Sequence, residues 1–165
     1  MKKTLSLLAF ILVSLTSWAQ RHDFQEGQLF YAINRDRPNE VWVASNSSYS
    51  SLSGEVVIPS TVTHGNETYT VTGLDDYVFN RCSEITAFSI PSSIINIGWD
   101  AFAETGFFND ASNWVDNALY LNDCLIAIKP ELSGNYQIKE GTRVIGMGAF
   151  YNCTSLTSVS IPPAS

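Results

Sequence analysis

The sequence predicts an α/β repeat fold: a right-handed solenoid with short parallel strands, an N-terminal β cap and a β-hairpin island set into the array. Three observations lead there. The segment from Leu74 to Pro91 returns from Ile145 to Pro162, and an internal repeat dictates the architecture before any single helix or strand is assigned. Stretches such as Phe88-Ser89-Ile90 alternate apolar and polar residues with the period of a strand. Hydrophobic residues make up 45% of the chain and charged ones 15%, so one globular core forms without disulfide stapling.

The chain opens with Lys2 and Lys3 ahead of an apolar run from Leu5 to Val13, then Leu15 and Trp18, with Ser17 and Ala19 where a signal peptidase inspects. This is the pattern of a secretory signal peptide over residues 1–19, leaving a mature chain from Gln20. The apolar run is too short to cross a bilayer comfortably, and no second run of spanning length follows. No cysteine follows the cleavage position, which argues against a lipoprotein.

Residues 20–57 read as the β cap, because Gln28–Ile33, Glu40–Ala44 and Gly54–Ile58 cluster or alternate apolar residues between polar turns. A solenoid requires such a cap, since its first coil otherwise exposes a stacking face to water. Thr63–Thr68, centred on Gly65-Asn66, reads as an exposed hairpin turn joining Val62 to Tyr69–Val71.

The repeat occupies 58–165. Counting from Phe79 and from Phe150, cysteine falls at +3 (Cys82, Cys153), an aliphatic at +6 (Ile85, Leu156), an apolar residue at +9 (Phe88, Val159), isoleucine at +11 and proline at +12. A third copy, Ile94 to Phe102, keeps the front half and has Thr105 at the cysteine position. Phe102 follows Phe79 by 23 residues and precedes Phe150 by 48, so the second interval holds about two units, one of them rewritten. Each unit is one coil whose apolar positions stack on those of the next. The alternating pieces form a parallel sheet, each strand ended by its proline. Asp75–Phe79 and Gly146–Phe150 form helical or turn-like returns, with Asp75 and Asp76 at a helical N-terminus and Phe79, Phe102 and Phe150 as one internal ladder.

The composite pattern Ile-Pro-x-x-Ile-x-x-Ile-Gly-x-x-Ala-Phe-x-x-Cys-x-x-Leu-x-x-Val-x-Ile-Pro resembles the BspA-type (Treponema-type) leucine-rich repeat. The resemblance covers residues 56 to 162 and is looser in the first unit, where Asp75 rather than glycine follows Leu74. It implies an exported protein at a bacterial surface that adheres to host or neighbouring-cell proteins.

The island, residues 106–140, holds two strand-like segments, Ala118–Leu121 and Cys124–Ile128, separated by the turn residues Asn122-Asp123. Its lead-in of Phe107, Phe108 and Trp114 is either exposed for binding or packed onto the solenoid, and packing is favoured because large bare apolar patches are uncommon. After Ile161-Pro162 no polar closing unit appears; a longer array is expected, with self-association through the uncapped last coil as the alternative.

Without the leader the chain carries seven basic residues against sixteen acidic ones, a net charge of −9 that excludes nucleic acid and disfavours anionic membrane surfaces. Three cysteines make an odd count with no Cys-x-x-Cys spacing, and His22 and His64 lie near none of them in sequence, so no metal site is expected. Cys82 and Cys153 share a repeat position two or three coils apart, too far for a bridge, and are expected as buried free thiols. No nucleophile elbow, phosphate loop or dinucleotide fingerprint occurs, so no catalytic residue or cofactor is predicted. Cys124 with His64 as a dyad is outweighed by a structural cysteine and a loop histidine. Asn46, Asn66 and Asn152 begin glycosylation-type triplets of no weight in a bacterial chain.

The expected function is a protein-binding module, not an enzyme, with a structural spacer as the alternative. The candidate partner-binding residues are Ala87, Ser89, Ser158 and Ser160, the outward positions of the sheet, together with Trp114.

Overall fold

A computed structural model of the chain describes residues 22–163; the expected signal peptide lies outside the described residues. Strands β1 (Phe24–Glu26), β2 (Leu29–Ile33) and β3 (Glu40–Val43) form an antiparallel meander. β3 lies parallel to β6 (Glu67–Leu74), which also forms a hairpin with β5 (Thr61–His64) and ends parallel to β8 (Asn96–Ile97). A second stack pairs β4 (Gly54–Val57) with β7 (Ile85–Ser89), so β4, grouped by sequence with the cap, is laid parallel to a repeat strand. β12 (Gly134–Gln137) and β14 (Leu156–Ser160) pair in the same way. Between them the island folds as β9 (Trp114–Val115), β10 (Ala118–Leu121) and β11 (Cys124–Ile128), antiparallel to one another, with β11 parallel to β13 (Val144–Ile145).

The repeat spacing has a geometric cause. Gly54 faces Ile85 while Glu55 faces Ala87, leaving Thr86 as an extra residue; Gly134 faces Leu156 while Asn135 faces Ser158, leaving Thr157 extra. Strict alternation would put positions +6 and +9 on opposite faces, and the irregularity turns both inward. Ile85 and Phe88 are accordingly 0% and 7% exposed. The glycine of the Ile97-Gly98 step has an equally local cause: a Cβ on Gly98 would stand 2.5 Å from the amide of Asp76 on the preceding turn.

The helical part of the predicted class shrinks to one turn, α1 (Gly106–Asn109), beside two short 3-10 turns. The returns at Asp75–Phe79 and Gly146–Phe150 are not helical, so Asp75 and Asp76 cap no helix. Instead an Asp76 carboxylate oxygen accepts from the Trp99 amide at 2.7 Å, tying one coil to the next.

The aromatic ladder also differs from expectation. Tyr49, Phe79 and Phe102 form it, with centroids 5.4 and 6.2 Å apart, and Phe88 and Phe107 brace its side. Phe150 is not on it; that ring meets Tyr136 at 6.0 Å, against a separate small core of Ala118, Leu125, Ile128, Ile138 and Ala149. The island occupies the third coil's place and interrupts the column.

Candidate functional site

The turns closing successive coils stack through their backbones. Tyr77, Phe79 and Arg81 donate amide hydrogens to the carbonyls of Trp99, Ala101 and Ala103 at 2.8, 3.0 and 3.0 Å. Each turn bends through two residues in the left-handed region: Tyr77 and Arg81, then Asp100 and Glu104, then Gly148 and Asn152.

The third coil has no such turn. β11 runs through its place as a straight strand: Leu125 accepts from the Gly146 amide at 2.8 Å, as Leu74 accepts from Gly98 at 2.9 Å. Ile128 then donates to Ala149 at 2.7 Å, a single rung. Coils two and four touch where Met147 donates to the Ile97 carbonyl at 2.9 Å, and between their turns a groove of about 430 Å³ lies open over β11. Asp100, Phe108, Trp114, Ile126, Met147 and Tyr151 are among its walls.

Trp114 is fixed there. Its indole N–H donates to the Phe108 carbonyl at 2.8 Å, its ring meets Phe108 edge to face at 5.2 Å, and the Lys129 ammonium sits 5.4 Å from its centre. The aromatic lead-in therefore divides: Phe107 is buried against Phe88 and Phe102, whereas Phe108 and Trp114 are half-buried in the groove wall. Thr105 begins α1, its hydroxyl accepting from the Phe108 amide at 3.1 Å and donating to Phe102 at 2.7 Å.

The other candidate positions do not share a continuous face. Ala87 and Ser89 stand beside Glu55 and Val57 on one two-stranded sheet. Ser158 and Ser160 stand on the other, where the Ser158 hydroxyl bonds Asn135 at 2.8 Å and that of Ser160 reaches the Tyr136 carbonyl at 3.5 Å. α1 packs against β7 where the next strand of the series would run, which separates the two.

Cys124 and His64 form no dyad. Cys124 is buried, its thiol pushed up to about 12 by burial and by the Asp123 carboxylate, while His64 stacks on Phe24 at 4.5 Å. All three cysteines are free. Burial raises the thiol pKa of both Cys82 and Cys153, but Cys153 is only half-buried, because little of the chain packs over the coil that carries it. Among the described residues no group of three or more histidines, cysteines and carboxylates is placed to hold a metal ion.

Sequence reasoning missed the groove. Its one signal is the 48-residue interval lacking an Ile-Gly-x-x-Ala-Phe turn where the third coil falls.

Comparison with known proteins bears on the scaffold. The chain is similar to a leucine-rich repeat protein from Bacteroides capillosus ATCC 29799, at 20% identity over 85% of this chain and 98% of that one, with a TM-score of 0.47. A leucine rich cell surface protein from Faecalibacterium prausnitzii A2-165 matches at 20% identity over 84% of this chain and 42% of its own length, TM-score 0.41. The pneumococcal vaccine antigen PcpA matches at 13% identity over 86% and 38%, TM-score 0.37, so this chain spans less than half of the latter two proteins. Among curated proteins none matches. The BspA type leucine rich repeat region is matched in six copies across residues 60–112 and 132–165, more than half of the sequence, and the chain belongs to that family.

Proposed function

We propose that this chain is an exported, surface-exposed binding module that adheres to a protein of a host or neighbouring cell through the groove beside Trp114. The observation that carries the reading is the groove itself: an apolar floor between two backbone turns, opened where one coil is rewritten, with an aromatic ring held rigidly at its rim. Pockets of several hundred cubic ångströms with apolar walls and a few polar groups are the usual form of a binding site. The leader pattern of Lys2 and Lys3, the apolar run after them and the Ser17/Ala19 cleavage positions support export.

The test is a binding screen of residues 20–165 against extracellular-matrix proteins, host-surface glycoproteins and bacterial glycans. Trp114→Ala, the milder Trp114→Phe and a Ser89→Arg plus Ser160→Arg variant run beside it. A protein ligand lost with Trp114→Ala, weakened with Trp114→Phe and kept by the double arginine variant is the expected result. Loss only in the double variant moves binding to the sheet face. Silence across the panel from a folded sample makes the chain a spacer.

A further inference from the structure

The walls of the groove carry backbone groups arranged for a particular kind of guest. One repeat on from Tyr77, Phe79 and Arg81, whose amides bond the second coil, stand Asp100, Phe102 and Glu104. The two turns are congruent, with φ of 56° and 65° at Tyr77 and Arg81 and 49° and 60° at Asp100 and Glu104. The amides of Asp100, Phe102 and Glu104 therefore point toward the rewritten coil, Asp100 and Phe102 in the groove wall and Glu104 just past it, and no protein group among the described residues accepts from them. Phe102 is 1% exposed, and a buried amide without an acceptor carries a desolvation penalty that an incoming carbonyl relieves.

On the facing wall the carbonyls equivalent to Trp99, Ala101 and Ala103 belong to Met147, Ala149 and Tyr151. Ala149 takes the Ile128 amide, Tyr151 only the Cys153 thiol at 3.7 Å, and Met147 none among the described residues. Free donors at every second residue repeat the row by which Tyr77, Phe79 and Arg81 hold the carbonyls of the congruent turn beside them. Asp100 and Glu131 add two carboxylates to the lining, and neither joins an ion pair among the described residues.

We infer that the groove takes a peptide segment of the partner, bent to follow the second coil's turn so that its carbonyls accept from Asp100, Phe102 and Glu104. An apolar side chain of that segment rests against Trp114, Ile126 and Met147, and a neighbouring lysine or arginine faces Asp100 and Glu131. This rests on the binding-module reading and gives it a ligand class.

The test pans a displayed library of random decapeptides on the chain from Gln20, which contains every described element, with Trp114→Ala for counter-selection. The most enriched sequence is then synthesised with blocked ends and titrated into 15N-labelled protein, beside chitohexaose. The expected pool is rich in lysine or arginine next to an apolar residue. The synthetic peptide slows amide exchange at Asp100, Phe102 and Glu104 at least tenfold, and Asp100→Asn plus Glu131→Gln weakens it about tenfold at low salt. No enrichment over the counter-selected variant overturns the inference, as does a bound peptide that leaves those three amides unprotected. Protection by chitohexaose alone replaces the peptide with a glycan. A Trp114-dependent protein ligand from the screen whose complex leaves the amides exchanging freely sinks this inference and spares the binding module; silence in both experiments sinks both.

Discussion

Strands β7 and β14 carry the same repeat and meet different fates. On β7 and its following residue, Ile85, Phe88 and Ile90 are 0%, 7% and 8% exposed; at the matching positions beyond the island, Val159 and Ile161 are 41% and 72% exposed and Leu156 is half-buried. The pattern of apolar residues is nearly identical. What differs is company: β7 lies between β4 and α1, whereas β14 has β12 on one side and no described strand on the other. Inward position is a property of the residue, but burial belongs to the stack, and a coil with one neighbour has half a core.

The largest test of that contrast is Phe79→Ala against Phe150→Ala. Removing a fully buried ring costs about 3–5 kcal/mol, and Phe79 is 0% exposed between Tyr49 and Phe102. Phe150, half-buried against Tyr136, should cost less than half of that in urea unfolding. Equal losses would erase the difference between the two regions.

Thr105→Ala should follow at about 1–2 kcal/mol, because it removes both the cap of α1 and a buried hydroxyl. Thr105→Ser, keeping both bonds, should recover most of the loss in the same urea unfolding assay.

A smaller effect, about 0.5–1 kcal/mol, is expected for Arg143→Met, since partly exposed ion pairs are screened by solvent. Arg143 grips Asp123 through two bonds of 2.9 and 3.2 Å and also donates to the Ile94 carbonyl, joining the island to coil two. Hydrogen bonding from Arg143 holds the Asp123 carboxyl below the ordinary aspartate pKa of 3.8. A depressed pKa stabilises fully above the unfolded value and the contribution is lost as pH falls through the folded one. The gap between wild type and variant should therefore narrow below pH 3.8 to the part carried by the bond to the Ile94 carbonyl; a gap that is flat with pH assigns the whole loss to that bond and to packing.

Thiol labelling at pH 8 should perturb stability least and read exposure directly. Half-buried Cys153 reacts first, buried Cys82 follows, and Cys124, raised to about 12, reacts last. Equal rates would mean that all three thiols are reached through one opening of the whole molecule.

The coil positions, both hairpins and the island were legible in the sequence because each follows from short-range spacing: Phe to Cys to Ile at fixed offsets, Gly65-Asn66 and Asn122-Asp123 at turns. Whether Phe150 would join the column with Phe79 and Phe102 was not, because that depends on what the island places between coils. The groove was hidden for the same reason: it is bounded by Asp100 and Met147, far apart in the chain and brought together by a segment that lacks the repeat. Trp114 stood out as an aromatic needing an explanation; its neighbours did not.

The left-handed residues that bend each turn have a consequence for how the molecule forms. Of six such positions only Gly148 is glycine, and Tyr77, Arg81, Asp100, Glu104 and Asn152 adopt a conformation that costs an ordinary residue about 1 kcal/mol. No isolated coil would choose that shape. Between coils one and two it is held by three rungs from turn to turn, so each serves as a mould for the other; the fourth coil, with one rung, makes the bend through Gly148 and Asn152, residue types that adopt it most readily.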